Sequence, residues 1–124
     1  MAKKHSARFL ALVEESRKHV QEVTVAEVQE KLERGDSFRL IDVRESEEYG
    51  RGHLPSAGWL CKGILEREIE KTVPDVETAI VLYCGGGFRS VLAAESLQKM
   101  GYKNVASMAG GWSTWVESGY LTEE

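Results

Sequence analysis

The stretch that most constrains this chain is "VLYCGGGFRS", residues 81–90, in which an apolar run meets three consecutive glycines. The apolar residues before Cys84 are typical of a buried strand, and the residues after Arg89 have the spacing of a helix. Glycines between the two permit backbone conformations that other residues rarely adopt. The pattern therefore predicts a thiol at a strand-to-helix junction, beside a loop that has almost no side chains.

Alternating strand and helix patterns extend along the rest of the chain. Apolar runs typical of buried strands lie at residues 38–43, 79–83 and 105–108, with a weaker one at 57–60. Helical patterns lie at residues 7–20, 24–35, 46–49, 65–71, 90–100 and 112–118. Strands that alternate with helices predict an α/β fold with a mostly parallel sheet.

The length of 124 residues is that of one ordinary domain. Apolar residues at loose helical spacing predict an amphipathic helix at the start, which packs on the outside of the domain. We therefore divide the chain into an N-terminal helical extension, residues 1–20, and a single domain, residues 21–124. One domain of this size is compatible with a monomer or a homodimer.

Charge and hydropathy argue against several classes of partner. The chain has 20 acidic and 16 basic residues, a net charge of -4, and no block of like charge, so we expect neither nucleic acid nor a membrane as a partner. Its longest apolar runs are about five residues, too short to span a bilayer. We therefore expect a cytoplasmic protein.

Cysteine usage also limits the chemistry. The two cysteines, Cys61 and Cys84, are too few for a disulfide framework, and neither has the spacing of a metal site. The glycines after Cys84 match neither a phosphate-binding loop nor a dinucleotide-binding fingerprint. We therefore expect no metal and no cofactor.

The loop after Cys84 has the composition of an anion cradle. Glycines leave backbone N–H groups uncovered, and a helix beginning near Arg89 or Ser90 adds unpaired N–H groups and the positive end of its dipole. Such surroundings stabilise a thiolate, so Cys84 needs no general base. The alternative is a cysteine that fills the core beside a turn that only connects two elements. Three glycines followed by arginine and serine favour the anion site.

Four motifs in order carry a resemblance to the rhodanese-like sulfurtransferases, over roughly residues 23–120. They are "LIDVRESEEY" at residues 40–49, "GHLPSA" at 52–57, "CGGGFRS" at 84–90 and "GGW" at 110–112. The resemblance implies a five-stranded, mostly parallel sheet with helices on both faces. It also implies that Cys84 is the catalytic residue and holds a persulfide sulfur.

The resemblance and the positions of the residues assign further roles. Asp42 and Arg44 are expected to tie loops together beneath the site, and His53 and Trp112 to support the scaffold. Arg89 is expected either to hold the anion or to buttress the loop. The substrate-binding residues expected are Gly85, Gly86, Gly87, Phe88, Arg89, Ser90 and, at the entrance, Lys62.

The mechanism implied by the resemblance is a double displacement through a Cys84 persulfide. The donor would be thiosulfate or a persulfide, and the acceptor cyanide, glutathione, thioredoxin or a protein thiol. Four residues separate Cys84 from Arg89, whereas cysteine phosphatases have five, so a phosphatase or an arsenate reductase is disfavoured. A sulfur-carrier module that delivers persulfide to one protein partner is the alternative.

Three further residues are expected to take no part in the chemistry. Cys61 could receive sulfur or pair with Cys84, but a buried, inert thiol is the default expectation. His5 and His19 are expected to face solvent.

Overall fold

The computed structural model describes residues 4–124, and the first three residues of the predicted N-terminal extension lie outside the described part. The strands are β1 (Gln21–Val23), β2 (Arg39–Asp42), β3 (Gly58–Trp59), β4 (Ile80–Tyr83) and β5 (Val105–Met108). The helices are α1 (Ala7–Arg17), α2 (Val25–Arg34), α3 (Ser46–Arg51), α4 (Lys62–Thr72), α5 (Arg89–Lys99) and α6 (Gly111–Glu117). In residues 4–124, no helix combines the length and apolar character that a membrane crossing needs.

The five strands form one sheet in the order β1-β5-β4-β2-β3. Every ladder in this sheet is parallel, which confirms the predicted α/β fold. The central strand β4 and its neighbour β5 are buried along their whole length, as the continuous apolar runs in their sequences indicate.

Helices cover both faces of the sheet, as expected. On one face, α4 and α5 contribute Leu65, Ile69 and Leu97 to the core, while on the other α2 and α6 contribute Val28 and Trp115. The amphipathic patterns of these helices thus bury their apolar sides against the sheet.

Helix α1 lies over α5, outside the layer that contacts the sheet. Its Val13 is fully buried, and the Ser16 hydroxyl donates a hydrogen bond of 2.8 Å to Glu95 in α5. The helix packs on the outside of the domain, which agrees with the extension expected there. The division of the chain at residue 20 stays a prediction.

The elements differ from those predicted by a missed strand, β1, and by shifts of one to three residues at several ends. Strand β1 carried no strand signal because only Val23 of its three residues is buried, and an edge strand of that length shows no alternation. Helix α4 begins at Lys62 rather than Leu65, with Cys61 as its N-cap residue. Neither difference affects the loop after β4, which leads into α5 as the sequence predicts.

Candidate active site

Cys84 follows β4 directly, at the carboxyl edge of the parallel sheet where sites of α/β folds form. Its side chain is buried, with 1% of the residue exposed. The backbone N–H of Gly87 donates to the sulfur at 3.2 Å, and that of Ser90 donates at 3.3 Å. The loop and the first turn of α5 therefore direct two amides at one sulfur atom, which is the arrangement expected of an anion cradle.

A pair of buried hydroxyls lies beneath the sulfur. The Cys84 thiol donates to Ser90 Oγ at 3.4 Å, and Ser90 Oγ lies 2.7 Å from Ser107 Oγ. Both serines are fully buried. When Ser107 donates to Ser90, the Ser90 hydrogen is free to turn toward a charged sulfur. Sequence reasoning missed Ser107, for which a hydroxyl within the buried strand β5 was the one available signal.

Two of the three glycines in the loop are required for different reasons. Only Gly87 among them has a positive φ, 92°, and a Cβ there would lie 2.9 Å from the backbone nitrogen of Gly110. A Cβ on Gly85 would lie 3.1 Å from the Arg89 guanidinium. The left-handed backbone is thus needed at Gly87, while Gly85 leaves space for a neighbouring side chain.

The guanidinium of Arg89 is bound to Glu48 of α3. Two N–H groups donate to the two carboxylate oxygens at 3.1 and 3.3 Å. Partial burial opposes ionisation of Glu48, yet the Arg89 hydrogen bonds and one from the Glu45 backbone hold its pKa below the ordinary value. Burial likewise opposes the charge on Arg89, whose pKa is nevertheless raised, chiefly by Glu48. The partner of Arg89 is thus a carboxylate rather than the backbone carbonyls expected of a buttress, its role stays a prediction, and sequence reasoning missed Glu48.

Asp42 and Arg44 form a buried ion pair at the end of β2, away from the cavity that Cys84 opens into. The Arg44 guanidinium donates to Asp42 at 2.7 Å and to the Gly52 carbonyl at 2.7 Å. Its centre lies 4.7 Å from the ring centroid of Trp112. Although burial opposes its charge, the pKa of Arg44 is raised by Asp42. These contacts connect the end of β2 to the Gly52 carbonyl and to Trp112, and the structural role of the three side chains stays a prediction.

His53 is held against the scaffold rather than against the sulfur. Its ring stacks on Tyr49 with centroids 3.8 Å apart, and its Nδ1 lies 3.0 Å from the Tyr49 carbonyl oxygen. The backbone of His53 also pairs with that of Glu123 near the end of the chain. The structural role of His53 stays a prediction.

Cys84 lies at a cavity of about 1140 Å³. His5 lines this cavity and is half-buried, so the expectation that its side chain faces solvent is wrong. The side chain of His19 is 56% exposed, as expected. Lys62 is half-buried and does not line the cavity, so its substrate-binding role stays a prediction. The lining residues are Lys4, His5, Ser6, Phe9, Glu48, Cys84, Gly85, Gly86, Phe88, Arg89, Gly110, Ser113, Thr114 and Glu117.

Comparison with known families and curated proteins agrees with the motifs. The model of the rhodanese-like domain family matches residues 24–118. A candidate mitochondrial thiosulfate sulfurtransferase from Schizosaccharomyces pombe is 37% identical over 61% of this chain. A candidate sulfur carrier protein from Bacillus subtilis, YrkF, is 29% identical over 82% of this chain. The matches span only 61% and 54% of the lengths of these two relatives, respectively.

Solved structures share the fold. A protein of unknown function from Rhodopseudomonas palustris, described as a possible tyrosine phosphatase, superposes with a TM-score of 0.87 at 28% identity and covers 99% of both chains. A thiosulfate sulfurtransferase from Pseudomonas aeruginosa superposes with a TM-score of 0.82 at 26% identity. That match covers 91% of this chain and 22% of the larger protein.

Proposed function

This chain belongs to the rhodanese-like domain family of sulfurtransferases and sulfur carriers, and on that basis we propose that it is an enzyme that transfers sulfane sulfur through a persulfide on Cys84. The observation that carries the proposal is the convergence of the Gly87 and Ser90 amides on the Cys84 sulfur, at 3.2 and 3.3 Å. Amides fixed in this way stabilise negative charge on sulfur without any reorganisation during the reaction.

In the first half-reaction, the Cys84 thiolate attacks the outer sulfur of thiosulfate. A Cys84–sulfur bond forms, the sulfur–sulfur bond of thiosulfate breaks, and sulfite leaves with the electron pair of that bond. A persulfide donor reacts in the same way and leaves as a thiolate. The terminal sulfur of the new persulfide carries the negative charge, and we propose that backbone amides of the loop and of the start of α5 stabilise it.

In the second half-reaction, an acceptor removes the terminal sulfur. Cyanide or a thiolate attacks that sulfur, the bond to Cys84 breaks, and Cys84 leaves as the thiolate that began the cycle. The products are thiocyanate or a new persulfide. Among thiols, we propose glutathione, thioredoxin and other protein thiols as the acceptors.

We also propose a cytoplasmic location, which the two unpaired cysteines of the chain support, since the cytosol keeps thiols reduced.

The length of the loop favours sulfur over phosphate. Four residues separate Cys84 from Arg89, and Arg89 is bound to Glu48 instead of being free to hold a tetrahedral anion. We therefore do not extend the description of the Rhodopseudomonas palustris neighbour as a possible tyrosine phosphatase to this chain. An assay with nitrophenyl phosphate should show no turnover above that of Cys84→Ser.

The similarity to a candidate sulfur carrier supports one second function, in which the domain delivers persulfide to a single protein partner. Steady-state assays separate the two. We expect repeated turnover of thiosulfate with cyanide or glutathione, and none in Cys84→Ser. A single round of persulfide formation without turnover on any small acceptor would instead support the carrier, and turnover that survives in Cys84→Ser would contradict both functions.

A further inference from the structure

The cavity above Cys84 has two walls that the proposed chemistry does not use. We infer that the segment Lys4–Phe9 and helix α6 form the acceptor site, and that the preferred acceptor is a small thiol that carries both a carboxylate and an ammonium group. This inference rests on the proposed function, since it identifies the class of thiol that takes the sulfur from Cys84.

One wall is the N-terminal segment, which is attached to the catalytic loop by aromatic contacts. The His5 ring lies 4.5 Å from the Phe88 ring and 5.2 Å from the Phe9 ring, measured between centroids. The Arg17 guanidinium lies 5.4 Å from the centroid of the Phe88 ring. Edge and face contacts of this kind stabilise an aromatic cluster beyond the area it buries. The segment is therefore fixed beside the cradle.

This wall lies outside the part of the chain that the family shares. The family model matches residues 24–118, and residues 4–9 precede that range. The site therefore combines a catalytic loop inside the range that the family model matches with a wall outside that range, and a wall of that kind is suited to select among acceptors.

Helix α6 forms the second wall and is also attached to the loop. The backbone N–H of Trp112 donates to the Cys84 carbonyl at 2.8 Å, and that of Ser113 donates to the Gly85 carbonyl at 2.9 Å. The side chains of Thr114 and Glu117 then continue along the cavity. At about 1140 Å³, this open cavity has room for an organic thiol as well as for thiosulfate or cyanide.

The charges on the two walls indicate what such a ligand carries. Glu48 and Arg89 neutralise each other through two hydrogen bonds, so neither is available for a ligand charge. Among the described residues, Lys4 and Glu117 line the same cavity and have no ion-pair partner. A carboxylate near Lys4 and an ammonium near Glu117 would satisfy both walls while the thiolate reaches the persulfide.

The test uses four small thiols that carry different combinations of these charged groups. Cysteine carries both groups, mercaptopropionate the carboxylate, cysteamine the ammonium, and mercaptoethanol neither. Cys84 persulfide is formed with thiosulfate and checked by mass, and kcat/KM is then measured for each thiol. Comparing each variant with the wild type for the same thiol removes differences in intrinsic thiol reactivity.

Reversing the charge of Lys4 and reversing that of Glu117 should shift the preference among the four thiols in opposite directions. We expect Lys4→Glu to lower kcat/KM for mercaptopropionate by about two- to fivefold and to raise it for cysteamine, since exposed ion pairs have effects of this size. Glu117→Lys should do the reverse, and each change is measured relative to mercaptoethanol in the same protein, because the new charge also acts on every attacking thiolate. Lys99→Glu and Glu33→Lys make the same changes in charge at exposed positions outside the cavity and serve as matched controls.

Equal changes for all four thiols, or the same pattern in the two controls, would overturn the inference while leaving sulfur transfer intact. Absence of any persulfide in the wild type would instead overturn the proposed function. If no persulfide forms, the acceptor site is still tested by titrating the wild type with S-methylcysteine, which has both charges and no free thiol. Binding that weakens in both Lys4→Glu and Glu117→Lys supports the site, and binding that is unchanged in both overturns it.

Discussion

The hydroxyl oxygens of Ser90 and Ser107 lie 2.7 Å apart, fully buried beneath the sulfur of Cys84. Ser107 thereby holds the Ser90 hydroxyl, which can donate a hydrogen bond to a charged Cys84 sulfur. We predict that Ser107→Ala slows alkylation of Cys84 by iodoacetamide at about pH 7 by about two- to fivefold, because the Ser90 hydroxyl loses the partner that orients it toward the sulfur. The rate is followed by mass on the peptide that contains Cys84. Ser37→Ala, at an exposed position, is the control, and equal rates in all three proteins would contradict the role given to Ser107.

The buried pair of Arg44 and Asp42 should affect stability more than chemistry. Lysine in place of Arg44 keeps the charge but loses the paired hydrogen bonds to Asp42 and the contact with the Trp112 ring. We predict that Arg44→Lys lowers the free energy of unfolding in urea by about 2–4 kcal/mol. Arg34→Lys, which alters an exposed ion pair, should cost less than about 1 kcal/mol. Similar losses in the two variants would show that Arg44 is not a structural anchor.

Gly87 should tolerate no side chain, because its φ is 92° and a Cβ would lie 2.9 Å from the Gly110 nitrogen. We predict that Gly87→Ala lowers the free energy of unfolding by about 1–3 kcal/mol, the usual cost of a strained backbone. Gly63→Ala is the matched control, since no atom lies within 4 Å of a Cβ there and alanine favours the helix. That variant should be unchanged or about 0.5 kcal/mol more stable. A Gly87→Ala protein as stable as the wild type would contradict the geometry of the loop.

The pair of Glu48 and Arg89 makes stability depend on pH. Burial opposes ionisation of Glu48, yet its contacts with Arg89 and Glu45 hold the pKa below the ordinary value of 4.5. A carboxyl group with a lowered pKa in the folded state stabilises the protein above that ordinary value, and this contribution is lost as the pH falls through the folded pKa.

We therefore predict that Glu48→Gln is less stable than the wild type near neutral pH, and that the difference closes as the pH falls below about 4.5. Urea unfolding at a series of pH values measures it. Glu33→Gln, at an exposed position, should show no such convergence. A difference that stays constant or widens in acid would contradict the ion pair as its source.

Local patterns were sufficient to predict the centre of the fold. The apolar run before Cys84 and the helical spacing after it define β4, the loop and α5, because strand burial and helix periodicity are local properties. Strand β1 was missed because its place in the sheet comes from pairing with β5, with Gln21 opposite Ala106, and not from its own residues.

The residues of the site that were missed depend on long-range contacts. Glu48 is 41 positions from Arg89, and Ser107 is 17 positions from Ser90, so no local spacing indicates either pair. The position of His5 against Phe88 is likewise set by the packing of α1 over α5. The motifs thus predicted the nucleophile and its loop, whereas the supporting contacts required the tertiary structure.

The central claim is that Cys84 carries the transferred sulfur, and intact mass after incubation with thiosulfate tests it most directly. We predict a gain of the mass of one sulfur atom in the wild type and in Cys61→Ser, reversed by cyanide and absent in Cys84→Ser. No gain with either thiosulfate or a persulfide donor, or a gain that persists in Cys84→Ser, would contradict it.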